Sequence, residues 1–349
     1  MTRKKTRKIM VGDIFVGGDA PISIQSMINT KSTDMEACID QIWQLETAGC
    51  EIVRMAVPNK ESIQAFKAIK KRISIPLVAD IHFDHTLALG ALDAGADKIR
   101  INPGNIGSEE KVKAVLNACK AKNVPIRIGV NAGSLEKNIL KKYGHPTAQA
   151  LLESASQHID ICEKYDFDNV IVSIKASNVL KMIEANRLFS KKYDYPLHLG
   201  VTESGTEKSG SLRSAIGIGT LLAEGIGDTI RVSLSADPIK EIEVAKNILR
   251  ALELKKDAVK VISCPTCGRT VYDLVSIAKE LEERVASIDK EMTVAVMGCV
   301  VNGPGEAREA DLGIAGAGED KVMLFEKGNK IGLFPIEGIV DLLMEKIKG

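Results

Sequence analysis

Two periods alternate along this chain. From residue 21, short apolar runs rich in Val and Ile, often bounded by Gly or Pro, give way to longer stretches with apolar residues at helical spacing. The runs predict strands at Ile22–Met27, Glu51–Val57, Leu77–Phe83, Lys98–Asn102, Ile126–Asn131, Val170–Lys175, Leu197–Glu203 and Thr229–Ser235. The stretches between them predict helices such as Met35–Ala48, Ser108–Ala121, Thr147–Lys164 and Val179–Lys192. Joins such as Ala48-Gly49-Cys50 and Ala94-Gly95-Ala96-Asp97 place Gly where a left-handed cap ends a helix before a strand.

Eight such strand–helix units match the requirement of a (β/α)8 barrel. An open doubly wound sheet is the runner-up, and it lacks its signature here: no G-x-G-x-x-G opens a helix after a strand. The longest join, between the fifth and sixth strands, carries Leu135–Pro146 as a candidate lid. The rhythm stops in the charged stretch Glu253–Asp257. The expected organisation is therefore an α/β barrel domain over 1–250, a linker over 251–260 and a small α+β domain over 261–349.

Side chains alternate along a strand, so polar residues at every second position of an apolar strand face into the barrel. Asp80 and His82, Arg100 and Asn102, Arg127 and Asn131, Ser173 and Lys175, and Arg231, Ser233 and Ser235 follow this rule, with Arg54 in mid-strand. Four arginines and a lysine then converge on one cavity with few acids near. Buried like charges are costly unless an anion joins them. Arginine forks suit phosphate oxygens, and this density suggests a diphosphate. Any one of these cations alone reads first as half of a rim salt bridge; five at strand ends read as a phosphate site. Glu203, just past the seventh strand, is a candidate acid/base group or a helix cap. His82 and His198 read first as hydrogen-bonded core histidines, with ligand or base as the alternative, and Trp43 reads as packing. The segment 205–219 reads as a phosphate-binding or flexible loop.

The last third carries a different chemistry. Cys264-Pro265-Thr266-Cys267 is a C-x-x-C, and Cys299 follows in the turn Gly298–Glu306. Three thiolates suit an iron–sulfur cluster or zinc. The five histidines all lie upstream, so Glu306 is the candidate fourth ligand. A structural zinc knot and a dithiol redox pair are the alternatives. Cys38, Cys50, Cys119 and Cys162 fall in or beside predicted helices and read as core residues.

The 349 residues are 45% hydrophobic and 27% charged, with a formal net charge of +1. That balance excludes a global field for nucleic acid or membrane. The basic start Met1–Lys8 reads as a solvated tail entering a short hairpin, and no apolar signal-peptide run follows it. With an odd cysteine count, a reducing cytoplasm is the expected compartment.

With these residues placed, the chain resembles the bacterial two-domain 4-hydroxy-3-methylbut-2-en-1-yl diphosphate synthases. The likeness runs from Val16-Gly17-Gly18 and Ile24-Gln25-Ser26-Met27 to Ser263–Arg269 and Met297–Glu306. Ile28 stands where that family usually has Thr. The resemblance implies a [4Fe–4S] cluster on Cys264, Cys267, Cys299 and Glu306. It implies diphosphate binding by Arg54, Arg100, Arg127, Asn131, Lys175, Arg231 and Ser233, with Asn302 beside the cluster. It implies Glu203 as the acid/base group, flavodoxin or ferredoxin as electron donor, and a head-to-tail homodimer. The implied reaction is a two-electron reductive ring opening and dehydroxylation of 2-C-methyl-D-erythritol 2,4-cyclodiphosphate. A non-redox iron–sulfur hydro-lyase and an iron or redox sensor are the competing readings.

Overall fold

The computed structural model describes residues 2–286, 288–318 and 320–349. The chain divides into two compact units, Met1–Leu254 and Lys255–Gly349.

The first unit opens with an antiparallel hairpin, β1 (Ile9–Val11) and β2 (Ile14–Val16). Eight parallel strands follow: β3 (Ser23–Met27), β4 (Ile52–Ala56), β5 (Leu77–Asp80), β6 (Lys98–Ile101), β7 (Ile126–Asn131), β8 (Val170–Lys175), β9 (His198–Leu199) and β10 (Thr229–Ile230). Their order is β8-β7-β6-β5-β4-β3-β10-β9, and a parallel bridge from Val172 to Leu197 closes the ring. The barrel expected from the two alternating periods is the fold.

Helices surround it because one face of each is apolar. In the helix Met35–Thr47, Cys38, Ile39, Ile42 and Leu45 are buried at three- and four-residue spacing. Asp34 caps it by accepting from the Ala37 amide at 3.2 Å, and Gly49 ends the join at φ +99°. The four cysteines of this unit are buried, as core residues should be.

The hairpin is a stopper. Ile9, Val11 and Val16 form one apolar cluster with Ile52, Val78 and Ile171, which are inward positions of β4, β5 and β8. Apolar side chains therefore line the lower barrel, and polar ones are left for the upper part. The basic tail before the hairpin is not solvated as the sequence suggested. Arg3 bonds Asp228 at 3.2 Å, Arg7 bonds Asp194 at 2.9 Å, and the Arg7 guanidinium lies 3.9 Å over the Tyr195 ring.

β9 and β10 are shorter than their apolar runs. The ladder gives way because side chains take over the backbone groups. Asp228 accepts from the Leu197 amide at 2.9 Å, and Glu241 accepts from the Leu234 amide at 3.0 Å. Residues 207–219 belong to the helix Glu207–Ala223, not to a flexible loop. Trp43 is 46% exposed rather than packed in the core.

The second unit is one mixed sheet. β11 (Val259–Ser263), β12 (Met292–Met297) and β13 (Leu312–Gly316) run parallel; β14 (Lys321–Glu326) and β15 (Asn329–Pro335) follow antiparallel. One face buries Val294, Val296, Leu312 and Ile314 against Leu281 and Leu343 of two helices. The other face carries Ala295 and Ala315, small enough for the short helix Gly303–Glu309 to seat Ala307 close to the sheet.

Candidate functional site

Inward positions of the barrel strands carry the charge. Arg54, Asp80, Lys98, Arg100, Arg127, Lys175 and Arg231 keep the same parity as the inward Ile52, Val78 and Ile171. Two glycines give them room. A Cβ on Gly129 would lie 2.8 Å from Arg100 Nε, and one on Gly200 would lie 2.7 Å from Lys175 Nζ. The sequence placed five of these cations together at the strand ends, and the fold does so.

Two carboxylates balance part of this charge. Asp80 lies 3.0 Å from Arg100 and 3.6 Å from both Arg54 and His82. Burial alone would raise its carboxyl; the Arg54 charge, the His82 hydrogen bond and Arg100 overcome that and hold it well below the usual range. Glu241 reaches in from the helix Pro238–Ala251, 3.4 Å from Arg231, and accepts from Ser26 Oγ at 3.0 Å.

The remaining cations are under strain. Burial lowers the Arg54 pKa to about 10; Asp80 works against it, while Arg231 and Arg100 add to it. Burial and repulsion from Arg231, Arg127, Arg54 and Arg100 push the Lys175 pKa far down. Arg127 is 1% exposed, and its Nε and Nη1 have no partner. Such orphaned, charged donors are costly without an acceptor. They are the groups an anionic ligand would satisfy.

Removing Asp80 should therefore be severe. We expect Asp80→Asn to cost about 3–5 kcal/mol, since it breaks one partner out of a buried network. The carboxyl is depressed in the fold, so its contribution is full above about pH 4 and is lost as pH falls through its folded value. Urea midpoints should show a constant gap between parent and Asp80→Asn from pH 7 to about pH 5, and a gap that narrows as pH falls from about 4 toward 2, the parent falling more steeply; parallel curves below pH 4 would contradict this.

Glu203 stands beyond β9, exposed, with a left-handed φ of +53°. Its loop is tied down. Ser204 Oγ donates to the Ser233 carbonyl, Arg213 donates to the Ser204 carbonyl at 3.2 Å, and the Ser235 amide donates to Gly205 at 2.9 Å. Asn131 Oδ1 accepts from the Gly133 amide at 3.1 Å, so its NH2 is the group it can present. Ser233 is half-buried, and its carbonyl holds the Glu203 loop.

In the second unit the cysteines sit on two neighbouring loops. Cys264 follows β11 directly, and Cys299 lies two residues past β12, the adjacent parallel strand. Both loops thus leave the same edge of the sheet. The Gly298 amide donates to Cys264 Sγ at 3.2 Å, and the Val271 amide donates to the Gly298 carbonyl at 3.1 Å, joining the loops. The amides of Val301 and Asn302, then Arg269 and the Gly303 amide, pull the Cys299 thiol below its ordinary value. Cys267 is exposed, as are Asn302 and Glu306 at the start of the helix Gly303–Glu309. Among the described residues, no three His, Cys, Asp or Glu side chains stand together as a metal-ligand group. The donor chemistry fits a soft metal centre: three free thiols and a carboxylate, with N–H groups turned toward sulfur. The side chains are not drawn in around one.

Residues 6–246 match the GcpE TIM-barrel domain, and residues 260–349 match the GcpE protein C-terminal domain. The chain belongs to the GcpE family. A relative from Clostridium perfringens, named 4-hydroxy-3-methylbut-2-en-1-yl diphosphate synthase (flavodoxin), is 58% identical over 348 residues, 100% of this chain and 99% of that one. One of the same name from Caldanaerobacter subterraneus is 55% identical over 346 residues, 99% of this chain and 97% of that one. Among solved structures, Yersinia pestis dihydropteroate synthase aligns at TM-score 0.51 and 14% identity, covering 71% of this chain and 99% of its own. Geobacillus kaustophilus 3-dehydroquinate dehydratase aligns at 0.52 and 14%, covering 72% and 98%. These two share the fold of the barrel.

Sequence reasoning missed three members of the barrel interior. Lys98 sits two residues before Arg100 on the same strand, so the parity rule carried one step further would have found it. Gln25 follows from the same rule on β3. Glu241 lies on a helix, where strand parity says nothing. His198 is fully buried, but neither ring nitrogen has a partner, unlike the hydrogen-bonded core histidine expected.

Proposed function

We propose that this chain converts 2-C-methyl-D-erythritol 2,4-cyclodiphosphate to 4-hydroxy-3-methylbut-2-en-1-yl diphosphate, a step of isoprenoid precursor synthesis. The observation that carries it is the barrel interior, where Arg54, Lys98, Arg100, Arg127, Lys175 and Arg231 face only Asp80 and Glu241 among the described residues. The full-length relatives bearing that activity in their names support the same reading.

Arg54, Arg100, Arg127, Lys175 and Arg231 grip the diphosphate, with the Asn131 amide and Ser233 hydroxyl as neutral donors. Asp80 and Glu241 hold Arg100 and Arg231 at 3.0 and 3.4 Å, so the forks are preset before substrate arrives. Glu203 gives a proton to the departing hydroxyl, which leaves as water. Cys264, Cys267, Cys299 and Glu306 would hold a [4Fe–4S] cluster, with Asn302 in the same stretch of chain as Cys299 and Glu306. The chemistry a cluster supplies there is one-electron transfer and a Lewis-acidic iron at its carboxylate corner. Two electrons enter, the ring C–O bond and one C–OH bond break, and a C=C bond forms. Reduced flavodoxin, the donor in the relatives' names, or ferredoxin delivers the electrons. The working assembly in this reading is a head-to-tail homodimer in the cytoplasm.

The test is purification without oxygen, iron and sulfide counting, then assay with the cyclodiphosphate and reduced flavodoxin. About four irons and four sulfides per chain and two electrons consumed per product are expected. Zinc without inorganic sulfide, or turnover that consumes no reductant, would sink the reading; the second outcome would point to a hydro-lyase.

A further inference from the structure

We propose that Lys98, deep in the barrel, is a positioning residue of the anion site that acts through Arg127 and Arg54. The inference rests on the diphosphate reading above and adds a residue to it. Lys98 is paired with Val78 on β5, which is paired with Arg54 on β4, so all three face inward. It is fully buried. Its ammonium has reached across the barrel to β3, where Nζ donates to Gln25 Oε1 at 3.1 Å. The amide nitrogen of Gln25 has no partner. The carboxylate next in sequence, Asp97, is engaged outside the barrel: it accepts from the Leu77 amide at 2.7 Å and pairs with Lys70 at 2.6 Å. Burial first, and then the like charges of Arg127 and Arg54, push the Lys98 pKa far below its ordinary value, so the charged form needs an anion close by.

A lysine kept for stability alone would have a carboxylate beside its ammonium. In this place an apolar side chain of similar length would fold more cheaply. What the ammonium does instead is electrostatic. With an anion bound above to favour its charged form, it sets a positive charge below Arg127, whose Nε and Nη1 are unpartnered, so that guanidinium does not turn down to a neutral floor. Its field also adds to the potential an anion meets above. His198, inward on β9 and without a partner on either nitrogen, stays neutral among Arg127, Lys175, Lys98 and Arg54 because burial and then those cations lower its pKa far below the ordinary value. Neutral or protonated, an imidazole offers Lys98 no negative counter-charge.

The test is Lys98→Met in the full-length protein purified without oxygen. Titration calorimetry with inorganic pyrophosphate, thermal melts and steady-state kinetics are compared with the parent. A roughly tenfold weaker pyrophosphate Kd and a similar rise in KM are expected, with kcat within about threefold and a melting temperature equal or higher. Lys98→Gln, which keeps a hydrogen-bond donor and removes the charge, should give the same pattern. Parent-like pyrophosphate affinity in a folded variant would overturn the proposal, as would failure of both variants to fold, which would make Lys98 structural. A parent that binds no pyrophosphate would instead strike the diphosphate reading itself.

Discussion

Glu203→Gln should fold, bind pyrophosphate and carry iron like the parent, yet turn over about 10²–10⁴-fold more slowly. The expectation follows from how the side chain is held. Glu203 sits at φ +53°, a conformation that costs a non-glycine residue on the order of 1 kcal/mol. The neighbours pay that cost: Ser204 is bonded to the Ser233 carbonyl, Arg213 to the Ser204 carbonyl, and Ser235 to the Gly205 carbonyl. A loop fixed on both flanks presents one carboxyl, exposed, beyond the end of β9. A merely capping Glu would lose little on becoming Gln, since the amide oxygen still accepts. A proton donor would lose nearly everything, since the amide has no proton to give. Because the side chain is exposed, the change in stability should stay within about 0.5 kcal/mol. Parent-like turnover in this variant would remove Glu203 from the mechanism.

The same contrast explains what the sequence could and could not say. Strand parity is a local rule with period two, so Arg100, Arg127, Asn131, Lys175 and Arg231 are legible as one inward set from the sequence alone. Their partners are not. Asp80 is on a strand and was seen, but its place between Arg54 and Arg100 depends on the β4-β5-β6 register. Glu241 answers Arg231 from a helix, and nothing in local periodicity links the two. The ends of β9 and β10 were overestimated for a related reason. Their apolar runs continue, but Gly200 lies where a Cβ would meet the Arg231 carbonyl at 2.5 Å, and Asp228 and Glu241 take backbone amides that a longer ladder would use. The basic tail misled because its partners, Asp194 and Asp228, are nearly two hundred residues away or more in sequence. In the second unit the order of loops was legible from C-x-x-C and Gly-Pro-Gly spacing, while the β11-β12 pairing that makes them neighbours was not.

Cys299→Ser tests the other half of the reading, and its effect should be the larger. The protein purified without oxygen should lose most of its iron and inorganic sulfide, and with them all measurable turnover. The reason is the ligand, not the fold. Cys299 is half-buried on the loop after β12, and the N–H groups of Val301 and Asn302 favour its thiolate. A serine hydroxyl in the same place stays protonated at neutral pH and is a poor ligand for iron. The barrel contains the control. Burial pushes the thiols of Cys50, Cys119 and Cys162 up to about 12, so they stay protonated and bind no metal. Cys119→Ala should thus keep full iron and sulfide while losing stability on the order of 1 kcal/mol, since it empties a small buried volume. Iron and sulfide that fall in Cys119→Ala and stay complete in Cys299→Ser would reverse the assignment. Loss confined to Cys299→Ser would support the loops after β11 and β12 as the place where the cluster is held.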